Sequence, residues 1–277
     1  MSTFFFQPII FRLGQSHKQK MEIHSMTAQT CPVESKLSEI RNFNQLGADY
    51  FFRQNFSASL YYFTQALDRI KNLRANKKSY SATKRVRCNV RTRQRPSTDF
   101  YAQSALEPIT LNISLHDLRW DCMAAAIILH NAALVYGALG DLATAKKMLD
   151  FAIALIREDM DEFDLNELMQ EQKGAVVIVS LYLTLANVMD KLSSHSLSDF
   201  KQVIRAFNVA AGLGRRYLRQ HPLTSSAYLC MAQMLLQNGC VQEAASAFET
   251  ASKIDKMFSF GVYAAEAGNL AAHAPVA

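Results

Sequence analysis

The sequence predicts an all-α protein: a solenoid of about four helical hairpins, interrupted after the first by a basic disordered insertion. Three observations carry that reading. Small residues recur nineteen positions apart in three separate places, Gly47 to Ala66, Ala133 to Ala152 and Ala232 to Ala251. Apolar residues around each pair return every three or four positions, the spacing of a helix face and not the alternation of a strand. Gly and Pro number only ten and six in 277 residues, too few for the many tight turns of a sandwich or barrel.

Composition narrows the function before any motif is read. A hydrophobic fraction of 49% supports a folded body. The five cysteines, Cys31, Cys88, Cys122, Cys230 and Cys240, are odd in number, widely spaced and without a CxxC pair. That pattern fits a reducing, intracellular compartment, cytoplasmic or nuclear, with Cys122 and Cys230 as buried structural thiols. The seven histidines show no HExxH or other zinc-type spacing, so no metal is expected. No nucleophile elbow or phosphate loop occurs, and no carboxylate pair lies isolated in an apolar stretch. The expectation is therefore a non-catalytic protein without cofactors. Two uncharged runs, Cys122 to Leu139 and Gly174 to Met189, approach the length of a membrane span. Both carry polar residues, His130 and Asn131 in one and Asn187 in the other, and both fit the hairpin register as buried first helices, so no membrane span is expected.

Residues 1–34 read as a disordered leader. The opening MSTFFFQPIIFRLG is apolar but lacks the basic start of a secretory signal, while its scarcity of acids also suits an organelle-targeting peptide. The first hairpin occupies residues 35–73, with Pro32 and Ser35 in a helix-start region. Phe43, Leu46, Gly47 and Tyr50 mark its first helix, Gln54-Asn55 the turn, and Phe56, Ser59, Phe63 and Ala66 the second. Residues 74–104 are assigned to a flexible insertion. From Lys71 to Thr98 there are four Lys, six Arg and no acidic residue, a composition that cannot bury a core. Removing this run leaves twenty Lys and Arg against twenty-four Asp and Glu, a body of net charge −4.

The remaining hairpins fill residues 105–257. EPITLNIS, from Glu107, reads as extended and packing along the hairpin surface, and Ser114 or Asp117 is placed to cap the long helix that follows. The second hairpin runs from Leu129 to Ala152 around the turn Gly140-Asp141. Glu158 to Glu171 holds seven acidic and no basic residues and reads as a solvated helical face that could also hold the basic insertion at low salt. In the third hairpin, Ala186 and Ala210 stand further apart, with the extra residues in the polar turn LSSHSLS. A second helix then runs to a break at His221-Pro222. The fourth hairpin carries Tyr228, Met231, Ala232 and Leu235, a turn at Gly239, then Val241, Ala244, Phe248 and Ala251. Residues 258–277 form a capping segment and tail.

These spacings resemble the tetratricopeptide repeat, which wants a bulky residue at position 4, small ones at 8, 20 and 27, and aromatic residues or Leu at 11 and 24. In the first hairpin Phe43, Gly47, Tyr50, Ser59, Phe63 and Ala66 take those places, with Ser59 where Ala is usual. RQHPLTSSAY resembles the longer repeats of kinesin light chains. One repeat, a long interruption and then further repeats is also similar to tetratricopeptide proteins of algae such as diatoms. The resemblance implies an adaptor or scaffold that binds a peptide or helix in a concave groove. The groove-lining residues it implies are Arg41, Asn44, Gln45, Ala48, Phe52, His130, Asn131, Leu134, Thr184, Asn187 and Gln233. Domains that grip acidic chaperone tails want Lys, Asn, Lys and Arg where this chain has Asn44, Ala48, Ser180 and Thr184. Only Asn131 matches that clamp.

The basic run supports an alternative reading. Lys77, Lys78, Lys84, Arg85, Arg87, Arg91, Arg93 and Arg95 could neutralise phosphates on nucleic acid or another anionic surface. Tyr80 is the only aromatic residue there to stack on a base. Lys77-Lys78 followed by RTRQR also resembles a bipartite nuclear-import signal, and Ser79, Ser81, Thr83 and Ser97 could tune the charge by phosphorylation.

Overall fold

The computed structural model describes residues 32–80, 107–109, 111, 120–159, 162–170, 172–193, 196–219 and 221–256. Among the described residues there are nine α-helices and no strand. They are α1 (Pro32–Phe52), α2 (Phe56–Tyr80), α3 (Trp120–Ala138), α4 (Leu142–Asp159), α5 (Glu162–Gln170), α6 (Gln172–Leu192), α7 (Leu197–Leu213), α8 (Pro222–Gln237) and α9 (Val241–Lys256). The leader up to residue 31, most of the basic insertion and the capping segment fall outside this set.

Four hairpins, α1/α2, α3/α4, α6/α7 and α8/α9, are the closest helix pairs. Successive hairpins meet through α2 on α3, α4 on α6 and α7 on α8, while the first helices α1, α3, α6 and α8 neighbour one another. This is an α-α solenoid of the tetratricopeptide-like kind, and steric demand at the helix crossings explains it. Ser59, Ala66, Ala133, Ala145, Ala152, Ala186, Val203, Ala210, Ala232, Ala244 and Ala251 are all at most 1% exposed. A larger side chain at these points would push the backbones apart. Gly47 obeys the same demand, because a Cβ there would stand 2.5 Å from the ring of Phe63, which is itself fully buried. Ser59, standing where Ala is usual in the first hairpin, donates its hydroxyl to the Gly47 carbonyl at 2.7 Å and so ties α2 to α1.

Three of the turns are built alike. Asn55, Asp141 and Cys240 each donate a main-chain N–H to the carbonyl five residues back, on Tyr50, Tyr136 and Leu235, at 2.9 Å. That bond closes a helix end when the preceding residue is left-handed. Gly140 and Gly239 adopt φ of 84° and 77°, but the first hairpin places Gln54 there at φ 58°. A side chain in that region is strained. Gln54→Gly is therefore expected to stabilise the chain by about 1 kcal/mol, read as a higher urea midpoint at unchanged slope, whereas Gly140→Gln should lose a similar amount.

One element boundary differs from the sequence expectation. Helix α2 continues to Tyr80, seven residues past Leu73, because Lys, Arg, Ala and Asn in RANKKSY hold a helix well enough once a packed helix precedes them. The acidic stretch is helical as expected: Glu158 and Asp159 end α4, and α5 follows, burying Leu168 and Met169 against α6. Beyond α7 the chain makes a π-helical turn, Gly214–Leu218, and reverses at Arg219, φ 50°. His221 then caps α8, its Nδ1 accepting from the Leu223 N–H at 3.1 Å.

Helix α6 contains the one segment among the described residues, Lys173–Leu192, long and apolar enough by composition to cross a membrane. Two-thirds of its most apolar window is buried inside the protein, at 67%, so the hairpin stack already uses that surface.

Candidate functional site

The inner faces of the first helices carry a buried polar seam. Asn44 on α1 and Asn131 and His130 on α3 are fully buried, and Thr184 on α6 is 2% exposed. Buried amides are costly unless every donor and acceptor is met, and here they are met by one another and by a passing segment of main chain. Asn131 Nδ2 donates to Asn44 Oδ1 at 2.9 Å and to the Ile109 carbonyl at 2.9 Å. Asn44 Nδ2 donates to the same carbonyl at 3.0 Å. The Ile109 N–H donates to Asn131 Oδ1 at 2.8 Å. One carboxamide thus takes both main-chain groups of Ile109, and a second reinforces the acceptor side.

His130 extends the seam. Its Nδ1 lies 3.2 Å from Asn131 Oδ1 and its Nε2 lies 3.0 Å from Thr184 Oγ1. Because Asn131 Oδ1 can only accept, the consistent tautomer protonates Nδ1 and lets Nε2 accept from the Thr184 hydroxyl. Burial holds the imidazole well below its ordinary range, at about 4, against a smaller opposing effect of the Asn131 hydrogen bond. The ring is neutral at physiological pH. Further along, the Asn187 side chain hydrogen-bonds the Cys230 thiol, whose burial pushes it up to about 11. The seam therefore joins α1 to α3, α3 to α6 and α6 to α8, and the Cys230 thiol is protonated in it.

Part of the segment expected to pack on the hairpin surface near Glu107 lies on this face. Pro108, Ile109 and Leu111 are buried, Ile109 to 3% and Leu111 to 7% exposure. This corrects the expectation of an open groove at six positions. Asn44, Ala48, His130, Asn131, Leu134 and Thr184 are all buried, and Asn44 and Asn131 are engaged by Ile109. The other expected groove residues are more accessible. Gln45 is exposed and bonded to Asp49 at 2.9 Å, Arg41 and Gln233 are exposed, and Asn187 is half-buried. Phe52 is 59% exposed at the end of α1.

Of the basic patch, Lys77 and Lys78 fall in the final turns of α2, and Lys84, Arg85, Arg87, Arg91, Arg93 and Arg95 lie outside the described residues. One link between the basic run and the acidic stretch is visible, an ion pair of Arg74 with Asp159. It is partly exposed, so its contribution is small and screened by salt.

A second concavity of about 310 Å³ opens between α4, α5, α6 and α7. Its walls are apolar, including Ile153, Leu165, Met169, Leu181 and Leu213, and Arg157 stands at its edge, donating to the Tyr182 hydroxyl at 2.6 Å. It offers no convergent set of acid, base and nucleophile.

No family model matches the chain, and no curated protein matches it. Among solved structures, the chain is similar to BtubC (BKLC) from P. vanneervenii at 13% identity, over 87% of this chain and 83% of that one, with a TM-score of 0.45. It is also similar to the TPR2AB domain of yeast Sti1 in its pHSP90 complex at 12% identity, over 84% of this chain and 97% of that one, with a TM-score of 0.26. Those scores are too low to carry an argument, so the tetratricopeptide-like fold rests on this chain's own helices and their small-residue crossings.

Proposed function

We propose that the chain is a non-catalytic protein-interaction adaptor that holds an extended polypeptide along the inner faces of its first helices. The observation that carries this reading is the double grip of Asn131, backed by Asn44, on the main chain of Ile109. Hydrogen bonds to both groups of one peptide unit give affinity for extended chain of any sequence, and neighbouring apolar surface gives preference among side chains. The test places a photo-crosslinking residue at Phe52 or Gln233, exposed on first helices, and at Phe151, exposed on α4. The inner positions should label a common set of polypeptides that Phe151 does not. Equal labelling from all three would contradict the reading, and labelling abolished by nuclease would move the function to Lys71–Thr98.

The same chemistry argues against acidic tails. The seam is neutral, with Asn44, Ala48 and Thr184 where a carboxylate clamp needs other groups, and a buried carboxylate without a cation is heavily penalised. An acidic chaperone C-terminal peptide is expected to show no micromolar binding by calorimetry.

A further inference from the structure

We infer that Pro108, Ile109 and Leu111 are a built-in occupant of the inner groove. The groove's partner is then an extended segment with aliphatic residues two apart, and it binds by displacing them. This inference rests on the adaptor reading and adds to it the class of ligand and the competitor.

Three features of the segment support it. Its contact with α1 and α3 uses main-chain groups that any extended peptide possesses, both of them on Ile109. Its Ile109 and Leu111, buried along with Pro108, are two residues apart, the spacing at which an extended chain presents side chains to one face. Pro108 fixes its own φ and biases Glu107 towards extended backbone, which lowers the ordering cost of seating the segment. The surroundings match that ligand chemistry. The groups meeting Ile109 are two neutral amides, with neutral His130 behind them.

The segment is covalently part of the chain whose helices it contacts. Tethering of this kind supplies an effective concentration on the order of millimolar. A free peptide must outcompete that, so unmodified protein should bind one weakly.

The experiment uses the full chain and a fluorescein-labelled peptide of residues 105–114, ALEPITLNIS. Anisotropy is measured on the unmodified protein and on P108G/I109S/T110G/L111S, whose own segment keeps its length but loses its anchors. The peptide should bind the variant at least roughly tenfold more tightly. Adding Asn131→Ala should remove that binding, and a peptide carrying I109D and L111D should not bind. Equal affinity for both proteins would overturn the built-in occupant while leaving the adaptor reading intact. No binding to a folded variant would overturn it too, and the adaptor reading would then be judged by crosslinking from Phe52 and Gln233. If circular dichroism shows the variant unfolded, the unmodified chain decides. Excess peptide should accelerate hydrogen exchange of the Ile109 amide, and an unchanged rate under saturating peptide would overturn the proposal.

Discussion

Asn131→Leu is expected to destabilise the chain by about 3–5 kcal/mol, although Leu nearly matches Asn in shape. The substitution removes four hydrogen-bonding contacts at once, to Ile109 N–H, Ile109 carbonyl, Asn44 and His130. Each buried group left without a partner costs about 1–3 kcal/mol. Release of residues 107–111 into water limits the total, because Ile109 then recovers partners while Asn44 and His130 stay buried. Urea denaturation checks the size of the loss. Asn44→Ala should cost less, and the double variant less than the sum of the two, since both act through one network. Gln45→Ala, an exposed neighbour whose bond is to Asp49, should fall within about 0.5 kcal/mol of the unmodified protein.

The second large effect is pH dependence through His130. Its folded pKa of about 4 lies below the ordinary 6.5, so between those values the unfolded chain binds a proton that the folded chain excludes. Stability then rises with pH across the window. The contribution is fully present above about 6.5 and is lost as pH falls towards 4, on the order of 3 kcal/mol in all. The groups facing the ring, Asn131 and Thr184, are neutral, so no nearby carboxylate offsets the effect. Asp255, whose carboxyl is raised by burial, works in the opposite sense, and Asp255→Asn separates the two. Chemical denaturation between pH 5 and 7 should show the slope in the unmodified chain and its loss in His130→Gln, which keeps a donor and an acceptor but does not titrate there.

The hairpins were legible because close helix crossings leave a local mark. Ala133, Ala145 and Ala152 stand where a larger residue would separate two backbones, and the same steric rule recurs in the other hairpins. Gly140 and Gly239 mark turns for an equally local reason, their positive φ. The inner seam left no such mark. Helix α3 is apolar on every side, so periodicity cannot say which of its faces meets a neighbour, and the resemblance alone put His130 and Asn131 in the groove. Their partners are distant in sequence, 87 residues from Asn131 to Asn44 and 54 from His130 to Thr184. That a segment near Glu107 packs on the hairpins was readable from its composition, but not which surface receives Ile109. The extent of α2 was missed for the reverse reason, since its like charges signalled solvent exposure and exposure does not end a helix.

The most direct test of a main-chain-gripping inner face is the hydrogen-exchange rate of the Ile109 amide in the free, unmodified chain. Held by Asn131, it should exchange at least about a hundredfold more slowly than an unstructured amide, and Asn131→Leu should erase that protection while the helical amides of α4 and α9 keep theirs. Exchange of Ile109 at the unstructured rate in an otherwise protected chain would contradict the account.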